Sequence, residues 1–147
     1  MNLQVKKIPF NKTFIVRHPI LRTGKPIEMC YFEGDDLPTT VHFGLFLDEV
    51  IIGVLSVFKN ECPIIESKNA YQYRGMAILE LHQNKQYGVL LLNAANSWVI
   101  ENQGDLIWFH AREKALRFYQ RNGFQVIGDS YEIDQIGLHF LMIKTLN

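Results

Sequence analysis

Only two cysteines occur in the 147 residues, Cys30 and Cys62, far apart and outside any CxxC pair. That spacing excludes a disulfide framework and a thiolate zinc site, and leaves two free thiols suited to a reducing compartment. The five histidines, His18, His42, His82, His110 and His139, are scattered with no i, i+4 pair, so the usual ligand spacing of zinc is missing and no metal is expected. Neither sign of charge is in excess, with 15 Lys plus Arg against 15 Asp plus Glu. A chain without a net field has no general means of recruiting nucleic acid or an anionic membrane surface. No stretch approaches the ~18 uninterrupted apolar residues of a spanning helix. The first residues, MNLQVKKIPFNKTF, lack the apolar run and small-residue cleavage site of a secretory signal. The expectation is a cytoplasmic protein that engages neither nucleic acid nor membrane.

What is present is apolar material, 48% hydrophobic and 12% aromatic residues, enough for one packed core in a single domain spanning residues 1–147. LQVKKI at 3–8 alternates as a short strand. Helical spacing follows from Phe10, with Pro19 expected to end or bend the helix near His18. Residues 23–38, with two glycines, two prolines and Glu28, Glu33, Asp35 and Asp36, read as a surface loop. HFGLFLDEVIIGVLSVF reads as an antiparallel hairpin whose turn at Asp48 and Glu49 lacks the favoured glycine.

The segment 70–79, AYQYRGMAIL, reads as a strand in which Gly75 marks a bulge or a close backbone approach. Residues 86–102 carry a broad apolar helical stripe, LIWFHA is a buried strand, and REKALRFYQRN is an amphipathic helix with Gly123 at its C-terminal cap. FQVIG and GLHFLMIKTL are strands. The sequence thus predicts a mixed α/β (α+β) domain with no internal repeat.

Chemistry concentrates in two blocks. The first is Gln83-Asn84-Lys85-Gln86-Tyr87-Gly88, a short loop opening a helix. Such a loop presents backbone N–H groups with outward dipoles, a natural seat for phosphate oxygens, while Gly88 permits close approach and Lys85 adds a point charge. Neither Walker A nor the dinucleotide G-x-G-x-x-G is present. On its own the loop is equally an ordinary helix start. The second block is Ala111-Arg112-Glu113-Lys114-Ala115-Leu116-Arg117-Phe118-Tyr119-Gln120-Arg121-Asn122-Gly123-Phe124.

Taken together the two blocks resemble the GNAT superfamily of N-acetyltransferases, whose phosphate loop reads Q/R-x-x-G-x-G/A and whose later helix reads N-x-x-A-x-x-x-Y-x-x-x-G-F. The resemblance covers the chain from about His42 to Lys144, and RGMAIL, ARxxAxxFYxxNGF and GLHFLMIK look most like the ElaA-like branch. Two positions depart from the pattern: Gln86 stands for the first loop glycine, and Arg112 for the asparagine.

The resemblance implies a mostly antiparallel sheet of six or seven strands with about four helices, split between strands 70–79 and 105–110. It implies acetyl-CoA as donor and a primary amine of a small molecule or peptide as acceptor. The backbone of Met76, Ala77 and Ile78 would pair with the pantetheine arm. Gln83 to Val89 would hold the pyrophosphate, with Arg112, Ala115, Phe118 and Tyr119 completing the donor site. Tyr119 would assist thiolate departure. For the base that deprotonates the amine, His110 is the candidate, beside the alternative of a histidine that satisfies only local bonds. Glu28 and Glu33 could attract a cationic amine, and His139 could wall its site. A non-catalytic CoA-binding or protein-interaction module on the same fold is the competing reading, favoured by Gln86 and Arg112. A homodimer is compatible with the sequence.

Overall fold

The computed structural model describes residues 1–133 and 136–146. Its elements are β1 (Leu3–Ile8), α1 (Phe14–Leu21), β2 (Val41–Leu47), β3 (Val50–Phe58), β4 (Ala70–Ile78), α2 (Gly88–Glu101), β5 (Leu106–Arg112), α3 (Leu116–Arg121), β6 (Gln125–Ile133) and β7 (Gly137–Thr145). The strands form a seven-stranded sheet in the order β1-β2-β3-β4-β5-β7-β6. β1–β2, β2–β3, β5–β7 and β6–β7 are antiparallel, and β4–β5 is parallel through Ala70–Leu106, Tyr71–Ile107 and Gln72–Trp108. The mixed, mostly antiparallel sheet expected from the sequence is therefore present. Among the described residues there are three α-helices rather than about four, with four short 3₁₀ turns besides. The expected helix at 112–122 shrinks because β5 runs to Arg112 and Glu113–Ala115 is a 3₁₀ turn.

The residues pack as two compact units, one made of Met1–Lys59 and Tyr73–Trp98, the other of Asn60–Gln72 and Val99 onward. In the first, the hairpin turn carries φ of +48° at Asp48 and +73° at Glu49, the backbone signs of a type I′ turn made without glycine. Asp48 is tied across to Asn2, whose N–H donates to its carboxylate at 2.8 Å. The β2–β3 register shifts between Leu45 and Phe46, leaving Ile52 unopposed. Val16, Ile51, Val54 and Ala77 form a buried cluster, with Ile20 and Leu21 packed against it. Contrary to expectation, α1 continues through Pro19 to Leu21. Pro19 and Ile15 both lie on the exposed stripe of α1, so the Ile15 carbonyl that loses its i+4 partner can turn to water.

The segment 23–38 is not simply a surface loop. Asp35 within it is buried and grips Arg17 of α1, both side chains 0% exposed, through Nη1–Oδ2 at 2.6 Å and Nη2–Oδ1 at 3.0 Å. Arg17 also donates to the Cys30 carbonyl (2.8 Å) and to the Ser56 hydroxyl (2.9 Å). His42 Nε2 lies 2.8 Å from the Asp35 carbonyl and so carries the proton; Nδ1 then accepts from the Ser56 hydroxyl at 2.6 Å. Burial holds the His42 pKa below its ordinary value, outweighing the pull of Asp35.

In the second unit, Leu106 and Trp108 of β5, Leu141 and Ile143 of β7, Ala70 and Cys62 form a buried cluster on one sheet face, with Ile65 and Ile127 against it. The Asp105 carboxylate accepts the Lys68 and Asn69 amides at 2.8 and 3.0 Å, which fixes the entry to β5. β6 bulges between Ile127 and Tyr131, with Gly128 at φ +76° inside the bulge. That bulge carries the strand to Ile133, past the expected end at Gly128.

Candidate active site

β4 reaches Gly75 at φ +67°, and a Cβ there would stand 2.7 Å from Cε2 of Phe32. Of the two readings of this glycine the close approach holds: a ring presses on its backbone, which takes a left-handed conformation. Met76 and Ile78 are half-buried after it, and Ala77 is buried in the α1 cluster. The Leu79 amide donates to Ile52 at 2.8 Å, and a 3₁₀ turn over Glu80–His82 leads to the loop.

Gln83 folds its side-chain amide back onto the Ile78 carbonyl at 2.9 Å, anchoring the loop to the strand it leaves. Asn84 and Gln86 both take φ +62°. Gln86, in the place of a glycine, thus adopts the left-handed backbone that glycine would adopt, at a cost of about 1 kcal/mol. The Val89 and Leu90 amides close the first turn on Gln86 and Tyr87. The amides of Lys85, Gln86, Tyr87 and Gly88 have no acceptor among the described residues. Lys85 is exposed, Tyr87 half-buried and Gly88 buried. The loop is therefore a row of available N–H donors at the N-terminus of a 14-residue helix, which is where an anion is best stabilised.

In the second unit α3 ends in a full Schellman motif. Phe124 N donates to the Tyr119 carbonyl (3.1 Å), Gly123 N to that of Gln120 (3.2 Å), and Gly123 takes φ +92°. The tyrosine-to-glycine-phenylalanine spacing is thus a cassette: the glycine makes the cap, the cap turns the chain, and Phe124 returns against Phe109 at 4.9 Å. Tyr119 lies in the aromatic nest so formed, 4.5 Å from Phe109, 5.3 Å from Phe118 and 6.2 Å from Phe124. Burial pushes its hydroxyl up to about 12. Ala115 and Phe118 are half-buried on the same short segment.

His110 and Tyr119 do not share a face of β5. Successive strand side chains alternate, and the β5–β7 register runs unbroken, so Phe109 faces Tyr119 while Trp108, His110 and Arg112 face the other way. On that side His110 Nδ1 is hydrogen-bonded to the Tyr131 hydroxyl. Tyr131 stacks on His139, its cross-strand partner, with ring centroids 6.1 Å apart. His139 is buried, bonded through Nδ1 to the Gly137 carbonyl at 2.9 Å, and sits opposite exposed Arg112. Glu28 and Glu33 are exposed in the first unit.

Two residues, one in each unit, escaped the sequence reading. Tyr131 lies beyond a bulge that no local pattern announces. Arg74 was visible as the one charge inside AYQYRGMAIL, a signal for a polar task on an otherwise apolar strand.

Residues 38–126 match the acetyltransferase (GNAT) domain family. The chain is 33% identical over 144 residues to a Bacillus subtilis (strain 168) protein named uncharacterized N-acetyltransferase YitI, covering 98% of this chain and 97% of that one. Its fold is similar to the crystal structure of Escherichia coli ElaA, with TM-score 0.76, 13% identity, and 97% and 99% of the two chains covered. It is similar as well to a GNAT family acetyltransferase from Elizabethkingia anophelis with acetyl-CoA bound, at TM-score 0.68, 14% identity and 99% coverage of each chain.

Proposed function

The chain belongs to the GNAT acetyltransferase family, and on that premise we propose that it moves the acetyl group of acetyl-CoA directly onto a primary amine of a small molecule or peptide. The observation that carries the donor assignment is the loop 83–88, whose positive-φ residues and available amides precede α2. In this reading the backbone of 84–89 takes the pyrophosphate and Met76–Ile78 pair with the pantetheine arm. Arg112, Ala115 and Phe118 belong to the donor site by their family positions.

The amine nitrogen, once uncharged, bonds to the thioester carbonyl carbon; the C–S bond breaks and sulfur leaves with the electron pair. Tyr119 donates its O–H to that thiolate. His110 takes the proton lost by nitrogen, in the tautomer whose Nδ1–H is donated to Tyr131. Tyr119 and His110 face opposite sides of β5, so in this reading His110 acts on the nitrogen through water and not by direct contact. The reading calls on no metal. Acetyl-CoA supply and two buried free thiols, Cys30 and Cys62, fit the cytoplasm.

Thiol release from acetyl-CoA against polyamines, aminoglycosides, amino acids and peptides tests the activity. Tyr119→Phe keeps the ring and should lower turnover roughly 10²- to 10⁴-fold with CoA affinity nearly unchanged. Gly88→Asp should set a carboxylate against the pyrophosphate and weaken CoA binding. Unchanged CoA affinity in the latter removes the loop from the donor site; CoA binding without turnover on any acceptor favours the non-catalytic module.

A further inference from the structure

Arg74 is a half-buried cation with no ion-pair or hydrogen-bond partner among the described residues. Its guanidinium carbon lies 4.8 Å from the centre of the Phe32 ring and 5.2 Å from that of Phe58. Two other guanidiniums share the Phe32 ring, Arg17 at 3.8 Å and Arg22 at 5.1 Å. Arg17 is neutralised by Asp35. Arg22 donates only to backbone carbonyls, Nε to Met29 at 3.2 Å and Nη1 to Leu21 at 3.0 Å. Arg22 and Arg74 therefore leave positive charge unmatched on one aromatic platform.

A desolvated guanidinium without a counter-ion is costly, and three around one ring repel one another. Burial, with the charges of Arg17 and Arg22, holds the Arg74 pKa below its ordinary value despite Asp35 and Glu33. An anion with two acceptor oxygens would meet the planar fork of Arg74, already oriented by its stacking on Phe32 and Phe58.

The place of Arg74 along β4 says which anion. Arg74 immediately precedes Gly75 with its positive φ, and Met76–Ile78 follow it toward the loop. This step rests on the proposed donor reading. With the pyrophosphate at the loop, the pantetheine arm runs back along Ile78 to Met76 and brings the thioester to the Gly75 end. Arg74 stands four residues from Ile78, about 13 Å along the strand. It therefore lies beyond the thioester, on the side from which the acceptor comes, and away from the donor phosphates.

We infer that Arg74, with Arg22, forms a carboxylate-recognition site on the Phe32 platform, and that the acceptor is an amine that also carries a carboxylate, of the amino-acid class. Its carboxylate anchors at the guanidiniums and so orients the amine.

The test compares L-amino acids and free-acid peptides with their C-terminal amides in thiol release from acetyl-CoA, for the wild type, Arg74→Met and Arg74→Lys. The free acids should react with KM lower than their amides on the order of 10- to 100-fold, as expected for a hydrogen-bonded charge pair. Arg74→Met, which keeps an apolar stem on the rings, should collapse that ratio to about one, and Arg74→Lys should retain part of it. Amides used as well as acids, or a ratio that survives Arg74→Met, overturns the proposal. A CoA dissociation constant raised tenfold in Arg74→Met assigns the guanidinium to a donor phosphate and overturns it too. If no acceptor turns over, acetate and succinate are titrated into the CoA-loaded protein while the side-chain Nε–H resonances of arginine are followed. A saturable shift at Arg74 supports the site independently of catalysis, and no shift refutes it.

Discussion

Asp35→Asn is the sharpest probe of the first unit, because it changes one atom of a fully buried ion pair. The Asp35 carboxylate accepts from Arg17 Nη1 at 2.6 Å, Arg17 Nη2 at 3.0 Å and the Phe32 amide at 2.9 Å. Asparagine keeps the volume but removes the charge, replacing an acceptor oxygen with an NH₂ that faces donors. Arg17 cannot shed its proton, so a cation with 0% side-chain exposure loses its counter-ion. Breaking one side of such a pair costs about 3–5 kcal/mol, roughly a fifth or more of the roughly 5–15 kcal/mol that holds a domain folded. Urea unfolding at pH 7 should show the midpoint fall by that loss divided by the slope, with the slope unchanged. A loss under about 1 kcal/mol would refute the argument, since it would mean that water reaches Arg17. The double variant Arg17→Met/Asp35→Leu should recover part of the loss, because it removes both charges and leaves only neutral groups, the Phe32 amide and the Cys30 carbonyl, without their partners.

Gly75→Ala should destabilise by about 2–3 kcal/mol, since it sets a Cβ at φ +67° against a Phe32 ring packed between guanidiniums; a loss below about 0.5 kcal/mol would show that Phe32 yields freely. Gln86→Gly should leave CoA affinity within about twofold and raise stability by a few tenths of a kcal/mol, relief at φ +62° being partly offset by the freer unfolded chain. Calorimetry and melting on the same variant check both halves, and a clear drop in either would reveal a contact made by the Gln86 side chain. Stability should also fall with acidification from about pH 6.5 downward. The His42 pKa is depressed by burial, so between the folded and unfolded values the unfolded chain binds more protons and stability rises with pH. His42→Gln should flatten that slope in urea titrations below about pH 6.5, and an unaltered slope would assign it to other groups.

The sheet was legible in the sequence because its strands are bounded by residues with one conformational meaning. Gly75 announced a bulge or a close backbone approach, of which the approach is found, and Gly123 a helix cap, and both glycines take positive φ. The hairpin was legible from apolar alternation, although its turn was not: Asp48 and Glu49 take left-handed backbone without the glycine that would have advertised it. What stayed hidden was long-range pairing. Asp35 sits in an acidic, proline-flanked stretch that looks solvated, and only the folded chain brings Arg17 to it from 18 residues away. The same applies to Tyr131, which reaches His110 across 21 residues and a bulge in β6. Periodicity reports which face a residue occupies and is silent about its partner. Pro19 misled for a related reason: on an exposed stripe the missing N–H costs little, and the packing of Val16, Ile20 and Leu21 carries the helix past it.

The position of Tyr119 constrains its chemistry further than the family pattern does. A phenol pushed up to about 12 stays protonated throughout the working range of an enzyme, so it can donate but not serve as a base. A CoA-type thiolate has a pKa of about 8.5, and complete transfer of the Tyr119 proton to it would be uphill by roughly 5 kcal/mol. In the proposed reading a hydrogen bond donated to the developing thiolate requires no transfer, and in a nest of Phe109, Phe118 and Phe124 that bond would form in a low dielectric where it counts for more. The proton that sulfur finally holds must then come from solvent or from the nitrogen, which becomes acidic as the C–N bond forms. Any alkaline limb of kcat/KM below about pH 11 consequently belongs to another group. Tyr119→Phe should lower the plateau of the pH profile while leaving the limb where it was. A limb that vanishes in the variant would mean that the phenol ionises within the working range, and that the aromatic nest does not hold it protonated.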